Sequence, residues 1–136
     1  MMRARISHEL ALLRRHFGDV EHAESNGEDW FRIPRYVLPE GWRIGDKAVS
    51  ELPVCFLIKG NYPGDAPYGF LTPAGLNFKG AAPNNTGAPP SPPPFSGEWL
   101  HFSWSVENWS ATADMGKGSN LLAWVRSFMV RLQEEA

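Results

Sequence analysis

The residue with the greatest chemical potential in this chain is its only cysteine, Cys55. Nucleophilic thiol chemistry requires an accessible thiolate, with a pKa lowered by a helix N-terminus or by a cationic neighbour. Cys55 is instead flanked by Val54 and Phe56, inside an apolar run. That setting is expected to bury the thiol, raise its pKa and leave it inert. A single cysteine also excludes an internal disulfide, which fits a reducing compartment.

Other polar side chains lie in and after a proline-rich segment. An asparagine amide can stabilise an oxyanion, but proline followed by asparagine is more typical of a turn. A hydroxyl nucleophile needs a general base, and the sequence around Thr86, Ser91 and Ser96 supplies no histidine or carboxylate before Glu98. The sequence therefore supports no confident catalytic residue and leaves five weak candidates: Asn84, Asn85, Thr86, His101 and Asp114. Of these, His101 is favoured as a packed core or edge residue.

Binding chemistry is concentrated in the first 17 residues, which are locally basic. Glu9 is the only acidic residue there, against four arginines: Arg3, Arg5, Arg14 and Arg15. The cluster is either a solvated helix face or a docking surface for an acidic partner. The four histidines show no spacing typical of metal ligands, so no metal and no cofactor are predicted.

Bulk properties restrict the class of protein. A chain of 136 residues with 43% hydrophobic and 21% charged content is expected to form a single domain, residues 1–136. A net charge of −2 offers no bulk attraction to nucleic acid or to a membrane. No apolar run is long enough for a membrane span, and no apolar signal core follows the N-terminus. A cytoplasmic location is the expectation.

Hydrophobic periodicity predicts the elements that must position these side chains. Apolar residues at helical spacing predict a helix over 6–17, capped by Ser7 and ended by Gly18. Residues 19–28 are predicted to form a loop or turn. Four strands are then expected in an antiparallel meander: 30–37, 42–44 with 47–49, 54–58, and 68–71. Pro34 indicates a sheet edge or a bulge in the first of them.

The second half of the chain is punctuated by prolines. Residues 73–97 are predicted to form a long loop, because six of the twelve prolines fall between Pro83 and Pro94. An alternating segment from Glu98 to Trp104 follows. A turn at Asp114 then leads into a second helix, predicted over 119–133 and capped by Ser119 or Asn120. The fold class is α+β.

The order of these elements resembles the ubiquitin-conjugating (UBC) fold. In conjugating enzymes the third strand feeds a Tyr-Pro-x-x-x-Pro segment, which Tyr62 to Pro67 matches here. More narrowly, the chain is similar to a bacterial UBC-like family with a Gly-Tyr-Pro-like turn, a long loop, a tryptophan-rich stretch, an aspartate and a final helix. The matching residues are Asn61-Tyr62-Pro63, Trp99, Phe102-Ser103-Trp104, Trp109, Asp114 and Leu121 to Leu132.

The departures from that pattern determine what the resemblance implies. Conjugating enzymes carry His-Pro-Asn before a catalytic cysteine downstream of the Tyr-Pro turn. This chain has only Pro83-Asn84-Asn85 in that stretch, and Cys55 lies upstream of the turn. The resemblance therefore implies a UBC scaffold without its thiol.

Three functions remain open from the sequence. The favoured one is a non-catalytic component of a ubiquitin-like conjugation system, a pseudoenzyme that binds a ubiquitin-like protein, an activating-enzyme-like adenylating protein, or both. By resemblance, its N-terminal arginines would meet the adenylating partner, and JAB-type metallopeptidases accompany such families. The alternative is an active transferase that uses a loop hydroxyl or Cys55. The third is an adaptor that presents Pro89 to Pro94 as a ligand, which the lack of a flanking basic residue disfavours.

Overall fold

A computed structural model describes residues 2–135 as an α+β fold of two helices and antiparallel sheets. The elements in chain order are α1 (Ala4–Phe17), β1 (Glu21–Ser25), β2 (Glu28–Val37), β3 (Trp42–Ile44), β4 (Lys47–Ala48), β5 (Glu51–Ile58), β6 (Phe70–Pro73), β7 (Leu76–Phe78), β8 (Thr86–Gly87), β9 (Trp99–Phe102) and α2 (Leu121–Gln133). The α+β class predicted from the sequence is confirmed.

The main sheet has six antiparallel strands in the order β1-β2-β5-β6-β9-β8. Its first four members are a meander, but they are not the four predicted strands. Residues 19–28, expected to be a loop, contribute β1 and the start of β2, with the turn at Asn26-Gly27. The last predicted meander strand, 68–71, runs from Phe70 to Pro73 instead.

A second, three-stranded sheet has the order β4-β3-β7. The predicted strands at 42–44 and 47–49 belong to this sheet and not to the meander, because β3 pairs with β4 and β7. The predicted bulge at Pro34 is confirmed by a register shift between Ile33 and Tyr36, where β2 pairs with β5. Proline lacks the N–H that an uninterrupted ladder requires, so the ladder breaks there.

Both helices cover one face of the main sheet. Ile6, Leu10 and Leu13 of α1 are buried in the same cluster as Val125 and Phe128 of α2. Helix α1 begins at Ala4, two residues earlier than predicted, and its N-cap is Arg3 and not the predicted Ser7. Gly18 ends it as predicted, with a φ of 83° that suits glycine. The side chain of Asn120 caps the N-terminus of α2, so of the two predicted caps, Ser119 and Asn120, the second is the one observed.

The opposite face of the main sheet, called the outer face below, carries a smaller cluster. Trp30, Cys55 and Leu71 are buried there, because they alternate along their strands with residues that face the helices. The proline-rich segment covers this cluster through Phe95, which packs against it. The predicted loop 73–97 also contributes two short strands, β7 and β8. The segment is therefore part of the packed structure.

No helix among residues 2–135 is long and apolar enough to cross a membrane.

Candidate binding site

The only cysteine is a packed strand residue. Cys55 is fully buried in β5, opposite Arg32 of β2 and Leu71 of β6. Burial raises the pKa of its thiol from 9.0 to about 12, and the charge of Arg32 offsets only part of that shift. The thiolate is therefore negligible at neutral pH, and the predicted burial of Cys55 in a strand is confirmed.

The Tyr62-Pro63 turn between β5 and β6 is held by a buried carboxylate that the sequence analysis did not single out. Glu9 of α1 is fully buried, and its Oε2 accepts hydrogen bonds from the Tyr62 hydroxyl at 2.5 Å and from Arg5 Nε at 2.7 Å. Its Oε1 accepts the backbone N–H of Leu121 at 2.5 Å. One carboxylate thus connects α1, the turn and the N-terminus of α2, where a negative charge is favoured.

The pKa values of Tyr62 and Arg5 are shifted by burial and by their contact with Glu9. Burial, together with the hydrogen bond and the charge of Glu9, raises the pKa of Tyr62 well above its ordinary value. Burial acts to lower the pKa of Arg5, but the hydrogen bond and charge of Glu9 outweigh it, so the pKa is raised. Both groups keep their protons at neutral pH and donate hydrogen bonds to the carboxylate.

A cavity of about 310 Å³ opens on the outer face beside the turn. Its apolar walls include Trp30, Leu57 and Leu71, and the proline-rich segment closes one side with Pro90 and Ser91. Further walls come from the turn and the chain that follows it: Lys59, Asn61, Tyr62, Asp65, Ala66, Pro67, Tyr68 and Gly69. An apolar pocket with a few converging polar groups is the usual form of a ligand site.

His101 is the one catalytic candidate that lines this cavity. It lies on β9 opposite Leu71 and is half-buried, with its ring centroid 6.3 Å from that of Tyr68. Burial lowers its pKa, so the imidazole is neutral at pH 7 and offers one donor and one acceptor nitrogen. Gly69 leaves room for the ring, because a Cβ at that position would lie 2.2 Å from His101 Nε2.

The other four catalytic candidates make hydrogen bonds that hold the surrounding backbone. The backbone N–H of Asn84 donates to Glu135 at 2.8 Å, and the Asn85 carbonyl accepts from Ser103 at 3.0 Å. Thr86 Oγ1 donates to a backbone carbonyl at 2.9 Å, and Asp114 Oδ1 accepts a turn N–H at 2.9 Å. These contacts place the four residues in turns and in a short strand, away from the cavity.

The four N-terminal arginines have different environments. Arg3 donates to the carbonyls of Gly60 and Tyr62, and Arg5 is half-buried against Glu9. Arg14 is exposed, but its Nε donates to the Val20 carbonyl at 3.0 Å. Arg15 is exposed and makes no hydrogen bond or ion pair within residues 2–135. The expected basic surface is therefore carried mainly by Arg14 and Arg15.

One side-chain group has the composition of a metal site. His22, Glu24 and Asp29 place one ligand atom each within 4.8 Å of one another on the hairpin of β1 and β2. Sequence spacing missed the group because Asp29 comes from the neighbouring strand. His22 Nε2 lies 2.7 Å from Asp29 Oδ1. The guanidinium group of Arg3 lies 4.0 Å from the other oxygen of the same carboxylate. His22 and Asp29 are thus already engaged with each other, and Asp29 also with Arg3.

A scan against protein-family models, a search of curated proteins and a search of solved structures found no match to this chain. The chemistry of the site therefore has to be argued from its own residues.

Proposed function

We propose that this chain is a non-catalytic, UBC-like component of a bacterial ubiquitin-like conjugation system. It binds the ubiquitin-like protein, the activating-enzyme-like adenylating protein, or both. The observation that carries the proposal is a combination: a helix packed over an antiparallel meander, a Tyr62-Pro63 turn between β5 and β6, and a fully buried Cys55 upstream of that turn. On this proposal the chain keeps the scaffold of a conjugating enzyme, while its one thiol is buried and inaccessible to a second protein.

The surface proposed to meet the adenylating partner is the exposed side of α1. Arg14 and Arg15 lie in its last turn, and neither forms an ion pair within the described residues. Exposed arginines contribute little to folding stability but strongly affect the encounter with an acidic partner. Arg15 is the better residue to mutate on this surface, because replacing Arg14 would also remove its hydrogen bond to the Val20 carbonyl.

The experiment is titration calorimetry of this chain against a bacterial ubiquitin-like protein and against its activating-enzyme-like adenylating protein. Wild type should bind at least one of them, and the affinity should fall with salt because charges are screened over about 10 Å at 0.1 M. Arg15→Glu should weaken binding to the adenylating protein. Arg43→Glu, the same charge change at the exposed residue of β3, is the matched control and should not weaken it. A lack of binding to both proteins would overturn the proposal.

One observation favours the second candidate, a transferase that uses a loop hydroxyl. The sequence places no base near Ser91, but the fold brings Ser91 and His101 to the same cavity. A neutral imidazole is the form that can accept a proton from a hydroxyl. No hydrogen bond joins the two side chains within residues 2–135, so the binding function is the better supported one.

A further inference from the structure

The outer-face cavity has the size and walls of a small-molecule site. Its volume of about 310 Å³ lies at the lower end of the range for ligand pockets, roughly 300–1,000 Å³. Trp30, Leu57 and Leu71 supply an apolar floor from three adjacent strands, and Pro90 supplies one wall. A ligand of this size would bury an apolar or aromatic group against rigid strands.

Two oppositely charged side chains also line the cavity, and they do not form an ion pair with each other. Lys59 and Asp65 are both exposed and flank the Tyr62-Pro63 turn. Neither forms an ion pair with any residue in the part of the chain from 2 to 135. Asp65 Oδ2 accepts a hydrogen bond from Asn61 Nδ2 at 2.5 Å, which leaves its other carboxylate oxygen available. The cavity thus presents an ammonium and a carboxylate beside an apolar floor.

The remaining polar group and the mouth fit the same kind of ligand. His101 is neutral and can donate or accept one hydrogen bond inside the cavity. Tyr68 lies at the mouth with 61% of its surface exposed, which is unusual for so large an aromatic side chain. Its ring is available to stack on an aromatic ligand.

We infer that this cavity binds an apolar zwitterion, namely a free amino acid with an aromatic or large aliphatic side chain. The ligand carboxylate pairs with Lys59, its ammonium pairs with Asp65, and its side chain packs on Trp30, Leu57 and Leu71. This inference does not depend on the proposed conjugation role, since it requires only this chain and the ligand.

The test compares three related ligands by titration calorimetry: L-phenylalanine, phenethylamine, which lacks the carboxylate, and 3-phenylpropionate, which lacks the ammonium. Wild type should bind L-phenylalanine about tenfold more tightly than either analogue, as expected for one charge-assisted contact each. Lys59→Gln should remove the preference over phenethylamine only. Asp65→Asn should remove the preference over 3-phenylpropionate only. Lys47→Gln, at an exposed lysine of β4, is the control and should behave as wild type.

Blocking variants locate the site. Leu57→Trp fills the floor and should abolish binding of all three ligands. Ser91→Trp, on the exposed proline-rich segment, should do the same without touching the sheet, and thermal unfolding verifies that each variant is folded. Equal affinity for the three ligands, binding that survives both blocking variants, or no binding in the millimolar range would each overturn the inference.

Discussion

Replacement of Glu9 tests the hydrogen bonds that this carboxylate makes to the Tyr62-Pro63 turn, Arg5 and α2. The loss in free energy of unfolding can be worked out from those contacts. Glu9→Leu leaves the Tyr62 hydroxyl and the Leu121 N–H buried without an acceptor. Each unsatisfied buried donor costs about 1–3 kcal/mol. Arg5 loses less, because it retains contacts to the carbonyls of Thr112 and Ser119. The expected loss is about 3–5 kcal/mol, as for a broken buried ion pair.

Urea unfolding followed by tryptophan fluorescence measures this loss. Glu9→Gln keeps the shape and one acceptor oxygen, so we expect roughly half the cost of Glu9→Leu. Tyr62→Phe should cost less in the Glu9→Leu background than in wild type, because the hydroxyl has already lost its partner. Glu21→Gln is the control: its ion pair with Arg32 is exposed and worth at most about 1 kcal/mol. A Glu9→Leu variant within about 1 kcal/mol of wild type would refute the reasoning.

Three further predictions use the same unfolding assay. Gly69→Ala should cost about 1–3 kcal/mol, since φ is +76° and the new Cβ would displace His101; a neutral result would mean the strand shifts freely. Asn120→Ala should cost about 1 kcal/mol through loss of the N-cap bond to α2, and an unchanged midpoint would argue against that cap. Tyr36 and Cys55 have folded pKa values of about 12, above their ordinary 10.0 and 9.0, so the folded state holds protons that the unfolded state releases. Stability should therefore fall as pH rises from about 9 towards 12, and less steeply in Cys55→Ala between about pH 9 and 10. Identical slopes would show that the thiol is not buried.

Local patterns were sufficient for the helices and the central strand. The apolar stripe and Gly18 give α1, Asn120 gives the start of α2, and the apolar run around Cys55 gives β5. These features depend on neighbours in sequence, where period and capping chemistry are directly visible. Strand β1 was missed because Glu21–Ser25 is polar and lies at a sheet edge. The Asn26-Gly27 pair was nevertheless the turn signal typical of a hairpin.

The site was harder to predict because it depends on distant residues. The contact from Glu9 to Leu121 spans 112 positions, and no sequence period marks a carboxylate that caps a remote helix. The cavity likewise joins Lys59, Ser91 and His101 from three separate elements. The proline content of 73–97 predicted a loop without ladder strands, which was wrong for the two short strands β7 and β8. Only the fold shows which side chains of this segment cover the outer face.

Intact-mass spectrometry tests the central claim, the absence of covalent transfer on this scaffold, most directly. The chain is incubated with ATP and with the ubiquitin-like and adenylating proteins proposed as its partners, and then its mass is measured. The account predicts an unchanged mass for a chain that binds at least one of the two proteins. An adduct that a small thiol cleaves, and that is lost in Cys55→Ala, would be a thioester and would show that the buried thiol becomes accessible. A thiol-resistant adduct lost in Ser91→Ala would show a hydroxyl transferase, and either adduct would contradict the non-catalytic account.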